Sequence, residues 1–303
     1  MKKLFGNIEL LLTAIIWGFA FVAQTAGLEH VSTFTLSVLR SFIAFVFLSI
    51  LAFIISLVQK ENSFPKNRAE FKSLIFGGIL CGIALFVATN LQQFGISLYP
   101  KDAGASGRAG FITALYVVFV AIIGSLLYRR KNHPLVWCGV VLAIVGMYML
   151  CLSGGVNNIY LGDVVVFLCA FAFCGHILTV DHFVKKNNGL LLSCVQFFTM
   201  GVLSLIFMLI FESPDWSAVG NSLVSVVYLG VMSSGVAYTL QIVGQKNTDP
   251  TVASIIMSLE SVFAVIGGWL ILGERLSSVE LVGCGFVFAA IIVAQSPGFI
   301  KKK

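Results

Sequence analysis

A polytopic all-α membrane protein is what this sequence predicts, and three observations predict it. Hydrophobic residues make up 58% of the 303 and Asp, Glu, Lys and Arg only 11%, where a soluble domain holds about 45–50% and about 25%. Apolar runs recur from one end to the other, and a run of about 20 residues at about 1.5 Å each crosses about 30 Å of hydrocarbon. None of them shows the alternating polarity over about 10 residues that marks a barrel strand.

Ten such runs are expected to be membrane helices. The first, Leu4 to Ala26, follows Lys2 and Lys3 like a secretory signal, but it exceeds the about 7–15 residues of a signal's apolar region and is read as a span. Phe34 to Val58 is the second. It is followed by "QKENSFPKNRAEFK", which at 14 residues is the longest connection and too short to fold as a domain. Leu74 to Ile96 is the third, and Ala103 to Tyr128, between Lys101 and a basic border, the fourth. Pro134 to Leu152, Leu161 to His182, Leu190 to Phe211, Leu223 to Gly244, Pro250 to Leu272 and Val279 to Ala294 complete the set. All seven cysteines (Cys81, Cys138, Cys151, Cys169, Cys174, Cys194 and Cys284) fall inside these runs with no C-x-x-C pair. They read as small apolar fillers, with no disulfide framework and no metal site.

Lysine and arginine set the orientation. With both termini in the cytoplasm, fifteen basic residues fall in inner segments and only Lys101 and Arg275 in outer loops. The net charge of +6 is then a topology signal and carries no expectation of nucleic-acid binding. A multi-pass protein of a bacterial cell membrane is expected.

The halves are similar to each other. "ATNLQQFG", Ala88 to Gly95, matches "AYTLQIVG", Ala237 to Gly244, at four of eight positions, 149 residues apart. "LYVVFVAIIGSLL", from Leu115, aligns with "LESVFAVIGGWLI", from Leu259, and Gly139 with Gly283, at a spacing of 144. Five spans per half is an odd number, so the second repeat is inverted relative to the first, as in alternating-access transporters with a ligand near the midplane. The expected divisions are 1–153, 160–297 and a basic tail, 298–303.

Four stretches resemble the drug/metabolite transporter superfamily, EamA type: "LLLTAIIWGFAFVAQ", "LRSFIAF", "AGFITALYVVFVAIIGSLL" and "ASIIMSLESVFAVIGGWLILGERL". The resemblance covers essentially the whole chain and is sharpest at the W-G of the first span and the L-G-E-R closing the ninth. It implies ten helices in paired five-helix repeats, a cavity lined mainly by spans one, three, four, six, eight and nine, and transport of small metabolites. Ala121 and Ser261 stand where many members have a proline that bends the helix.

Polar residues inside the spans supply the candidate site. Trp17 is too deep for the interfacial belt and is read as a packing or cavity residue. Asn90 and Gln93 share a face of span three, and Tyr238 and Gln241 lie on span eight; such amides either bond helices together or meet a ligand. His176 either relays protons or satisfies a neighbouring carbonyl. Arg40 is read as structural. Arg108 either reaches the surface to pair with Asp102 or borders a water-filled cavity opposite Glu260, which lies about 15 Å into span nine. In the second case Arg108 offers paired donors to a substrate carboxylate and Glu260 meets an amine or a coupling proton. Trp17, Asn90, Tyr116 and Tyr238 line the space between, with Gln93, His176 and Gln241 beside them.

No nucleotide-binding loop and no hydrolase or metalloprotease motif exists in the sequence. The expected function is secondary transport, export of a small polar metabolite such as an amino acid, without a cofactor and without enzymatic activity. Import of a metabolite or cofactor by the same fold is the alternative. A membrane enzyme acting on lipid is disfavoured because the few membrane acids do not cluster. The expected partners are the solute, the bilayer and a coupling proton, with the chain a monomer or homodimer.

Overall fold

The structure is a computed structural model and describes residues 2–59, 65–100, 103–127, 133–151, 159–248 and 250–296. The basic tail, and Asp102 as a partner for Arg108, lie outside the described residues. Within them the chain is helical and no strand occurs.

Helices α1 (Lys2–Leu28) and α2 (Thr33–Gln59) form the first pair. The start of α2 is capped from a distance: Glu212 accepts from the backbone N–H of Phe34 and Thr35 and from the Thr35 hydroxyl, at 2.7–2.8 Å. Helix α3 (Arg68–Ser97) opens on Asn67, which accepts from Glu70 N, while Glu70 accepts from Lys66 N. Gly104, in the left-handed region at φ 62°, turns the chain into α4 (Ala105–Ala114), and α5 (Tyr116–Leu127) follows after a break at Leu115. Then come α6 (Pro134–Cys151), α7 (Leu161–Val184) and α8 (Gly189–Phe211).

The next span is composite. A 3-10 turn at Ala218–Ser222 and α9 (Leu223–Val227) lead into wide π turns over Tyr228–Ala237, then α10 (Tyr238–Asn247). Helices α11 (Pro250–Ser258) and α12 (Glu260–Gly267) are separated at Leu259 and end in a second π segment, Gly268–Leu272. Finally α13 (Ser278–Gln295) begins with a capping box of Ser277 and Glu280.

Among the described residues, seven helical stretches are long and apolar enough to cross a membrane, and shorter apolar stretches lie within α6, across α11 and α12, and within α13. The chain is a multi-pass membrane protein. Its outer face carries large apolar side chains such as Leu209, Phe211, Leu126 and Trp269, while Arg40, Arg108, Glu260 and His176 are buried. That inside-out distribution suits a hydrocarbon solvent, where polar groups must be satisfied within the bundle.

The bends need no proline. Leu115 and Leu259 have nearly the same backbone angles, φ −60°, ψ −16° and φ −59°, ψ −15°. Each breaks its helix with a short i→i+3 bond on either side: Leu115 N to Ile112 O and Val118 N to Leu115 O, then Leu259 N to Ile256 O and Val262 N to Leu259 O. The spacing of 144 pairs Ser261 with Val117 rather than Ala121, so the position comparable to Ser261 lies one turn earlier than expected.

Two crossings depend on glycine. A Cβ on Gly95 would stand 3.2 Å from Gly162 O and 2.6 Å from Val166 Cγ2, and one on Gly244 would stand 3.0 Å from Gly6 O and 2.8 Å from Leu10 Cγ. Both pairs of backbones are in close contact, as small residues permit within bilayers.

Candidate functional site

The chain breaks at Leu115 and Leu259 put Tyr116 and Glu260 at the starts of α5 and α12. Both face one narrow cavity of about 30 Å³. Helix α1 contributes Trp17, Ala20, Phe21 and Gln24, α2 contributes Arg40, and α3 contributes Gln92. Phe173, His176 and Ile177 of α7 close another side, with Ser233 from the π turns and Tyr238 and Gln241 from α10.

Arg40 is 3% exposed and is surrounded by neutral oxygens. Its Nε donates to Ser234 Oγ (3.0 Å), one terminal nitrogen to Ser233 Oγ (3.1 Å) and the other to Gln24 Oε1 (3.3 Å). Gln93 is oriented with its oxygen on that second nitrogen at 3.1 Å and its amide nitrogen on Thr33 O and Ser37 Oγ. Ser37 in turn donates to Asn90 Oδ1 at 2.8 Å. Among the described residues no carboxylate pairs with Arg40, so four of its five N–H groups meet neutral oxygens and its charge is not neutralised.

Glu260 is 3% exposed and occupies the first turn of α12, where the helix dipole favours an anion. The Tyr116 hydroxyl lies beside the Glu260 carboxyl and is its nearest donor, and Glu260 Oε1 has no closer partner among the described residues. Gln241 Oε1 and His176 Nδ1 are likewise unpartnered. Aromatic faces surround these atoms. Trp17 and Tyr238 stand 4.6 Å apart, His176 and Tyr238 5.9 Å, and Tyr116 and Phe173 6.5 Å. The Trp17 ring is fixed by a bond from Nε1 to Ser233 O, 3.3 Å.

The arrangement is therefore a polar, charge-bearing space enclosed by apolar helices, and comparison with known proteins gives the fold a family. The model of the EamA-like transporter family matches residues 4–152 and again 160–295. The chain belongs to the EamA-like transporter family. A protein of Archaeoglobus fulgidus described as an uncharacterized transporter is 30% identical over 295 residues, covering 97% of this chain and 87% of that protein. The uncharacterized transporter YoaV of Bacillus subtilis is 23% identical, covering 97% and 96%. The uncharacterized inner membrane transporter YedA of Escherichia coli K12 is also 23% identical, covering 97% and 91%. One solved crystal structure shares the fold with a TM-score of 0.69 at 17% identity, covering 97% of this chain and 98% of that one.

In this EamA-like chain the cavity brings together Trp17, Tyr116, His176, Tyr238, Gln241 and Glu260. Asn90 and Gln93 stand behind the wall: Asn90 bonds Ser37 and Phe86 O, and Gln93 bonds Arg40, Thr33 and Ser37.

Arg108 requires a correction. It is 1% exposed and absent from the cavity lining, and it forms no pair with Glu260. Its Nε and one terminal nitrogen grip Asp163 at 3.2 and 2.9 Å, and the other terminal nitrogen meets Glu280 at 2.7 Å. The Tyr160 ring lies 5.0 Å from the guanidinium carbon. Asp163 also accepts from Tyr99 Oη and Tyr160 N. The guanidinium thus joins α4 to the first turns of α7 and α13.

The cavity's arginine is Arg40, read from sequence as structural. No signal along its own helix marks it, because its partners Gln24, Gln93, Ser233 and Ser234 all lie on other elements.

Proposed function

We propose that the chain is a secondary transporter that exports a small polar metabolite, such as an amino acid or related solute, by alternating access. One observation carries this reading: Arg40 and Glu260 line the same buried cavity and do not pair with each other. A single charge at the centre of a membrane helix costs on the order of 3 kcal/mol or more. Groups of opposite charge on the walls of one cavity suit a dipolar solute that enters as the cavity opens.

Ten spans in two inverted repeats fit the same reading. The breaks at Leu115 and Leu259 are 144 residues apart, and the tight glycines Gly95 and Gly244 are 149 apart. Gln92 and Gln241 share the second spacing and both face the cavity, so equivalent residues from the two halves approach one ligand. Access from alternate sides then follows from rocking one repeat against the other.

The test is efflux from proteoliposomes loaded with a set of amino acids and related polar metabolites, using the wild-type protein and Arg40→Gln. At least one solute should leave faster than from protein-free liposomes, and Arg40→Gln should slow it at least tenfold while the protein still folds. If no solute moves faster than the leak, the transport reading fails. Flux from the opposite face only would make the protein an importer.

A further inference from the structure

The unmet hydrogen-bonding demand of the cavity is chemically one-sided. Arg40, its cation, has four of its five N–H groups on Ser233, Ser234, Gln24 and Gln93. Among the described residues, the cavity-lining atoms left without a close partner are Glu260 Oε1, Gln241 Oε1, His176 Nδ1 and Tyr116 Oη, the last standing next to Glu260. Three of these four are acceptors alone. For His176 this follows from its neighbour: with Gln196 Oε1 accepting at 2.9 Å, Nε2 carries the proton and Nδ1 offers a lone pair. The fourth, the tyrosine hydroxyl, both donates and accepts.

These residues are all at least nine-tenths buried and line one space, where an unpaired acceptor is costly to leave unmade. The group that answers several acceptors at once, one of them a carboxylate, is a compact cation with several N–H donors. Aromatic faces from Trp17, Phe173 and Tyr238 on the same walls favour a cation over a neutral donor.

We infer that Glu260, Gln241, His176 and Tyr116 form a subsite for the primary ammonium group of the solute, with Arg40 marking the end of the cavity that faces its anionic group. This rests on the transport reading and deepens it, because it names which end of a dipolar solute meets which wall. Glu260 supplies charge, Gln241 and His176 supply further acceptors, and the aromatic rings limit how much substitution the nitrogen tolerates.

The test uses the full chain in lipid nanodiscs and measures binding of L-alanine, L-leucine and L-phenylalanine. Each is compared with its 2-hydroxy acid, in which a hydroxyl replaces the ammonium, and with its decarboxylated amine. At least one amino acid should bind, with its hydroxy acid at least tenfold weaker. Glu260→Gln should reduce that discrimination to about threefold or less, by lowering affinity for the amino acid and not for the hydroxy acid. Gln241→Leu, which leaves the carboxylate in place, should lower amine affinity several-fold. An unligated melting temperature separates loss of fold from loss of binding.

The proposal is overturned if no amine-bearing probe binds, if the hydroxy acid equals its parent, or if Glu260→Gln keeps the discrimination. It is also overturned if Glu260→Gln changes only the response of flux to a pH gradient, since the carboxylate would then carry a proton. Amine discrimination without flux in proteoliposomes would remove the transport reading and leave the subsite standing. Flux without discrimination would do the reverse.

Discussion

Removing the Arg108 side chain should destabilise the bundle without weakening the ligand cavity. The guanidinium makes a two-pronged grip on Asp163 and a third contact to Glu280. The Asp163 side chain is 4% exposed and that of Glu280 18%. Arg108→Ala would leave two carboxylates facing each other in a poorly hydrated site, and removing one partner of a buried ion pair costs about 3–5 kcal/mol. Asp163 would keep its bonds from Tyr99 Oη and Tyr160 N, which places the expected loss near the lower end, about 3 kcal/mol. Arg108→Lys keeps the charge and gives up the fork, so about 1.5–3 kcal/mol is expected from the lost charge-assisted bond. The decisive variant combines Arg108→Met with Asp163→Asn and Glu280→Gln, which removes all three charges and should recover most of the stability. Thermal unfolding in one detergent, together with ligand affinity, measures the series. Two results would refute the reasoning: an Arg108→Ala protein as stable as the wild type, or a neutral triple variant no better than Arg108→Ala. A selective loss of affinity at unchanged stability would return Arg108 to the ligand.

Gly107→Leu should lower transport while expression stays normal, because even a Cβ there would stand 3.2 Å from Val265 Cγ2 and 3.6 Å from Leu276 Cδ1; unchanged flux would show that this contact does not move. Glu212→Ala should cost about 1–2 kcal/mol, since it uncaps Phe34 N and Thr35 N at the start of α2, and Glu212→Gln should recover part of that in the same melting assay. In a cysteine-free background, single cysteines at Glu29, Asp215 and Ser277 should react with an impermeant thiol reagent from outside, and those at Asn67 and Lys186 should not. Reaction of both sets from one face would contradict the inverted arrangement.

Helical class was legible because it rests on composition and run length, properties that no packing detail can reverse. Among the described residues seven stretches satisfy the length and hydropathy needed to span, while Ile256–Leu272 is divided at Leu259, because apolar content does not report where a helix breaks. Glu260 and Tyr116 were singled out through the alignment of the two halves, and each follows a break with nearly the same backbone angles. The structure places Arg40 on the cavity wall and Arg108 in an ion pair away from it, the reverse of the expectation, for a physical reason. Arg108 finds Asp163 and Glu280, which stand 55 and 172 residues away, and ion pairs of that separation leave no local pattern. Arg40 has no such partner among the described residues, and the oxygens around it come from α1, α3 and the π turns. A neutral shell drawn from several helices is invisible to any reading along one of them.

The π turns of Tyr228–Ala237 have a mechanical consequence. A π bulge holds a surplus residue inside a helix. Letting one surplus residue migrate out of the stretch would shift the helix beyond it by about 1.5 Å and turn it by about 100°. Tyr238 and Gln241 lie on the far side of that stretch, while Ser233 and Ser234, the contacts of Arg40, lie within it. Such a change of register would act like a screw thread, swinging the tyrosine and the amide out of alignment with the arginine without any helix having to tilt.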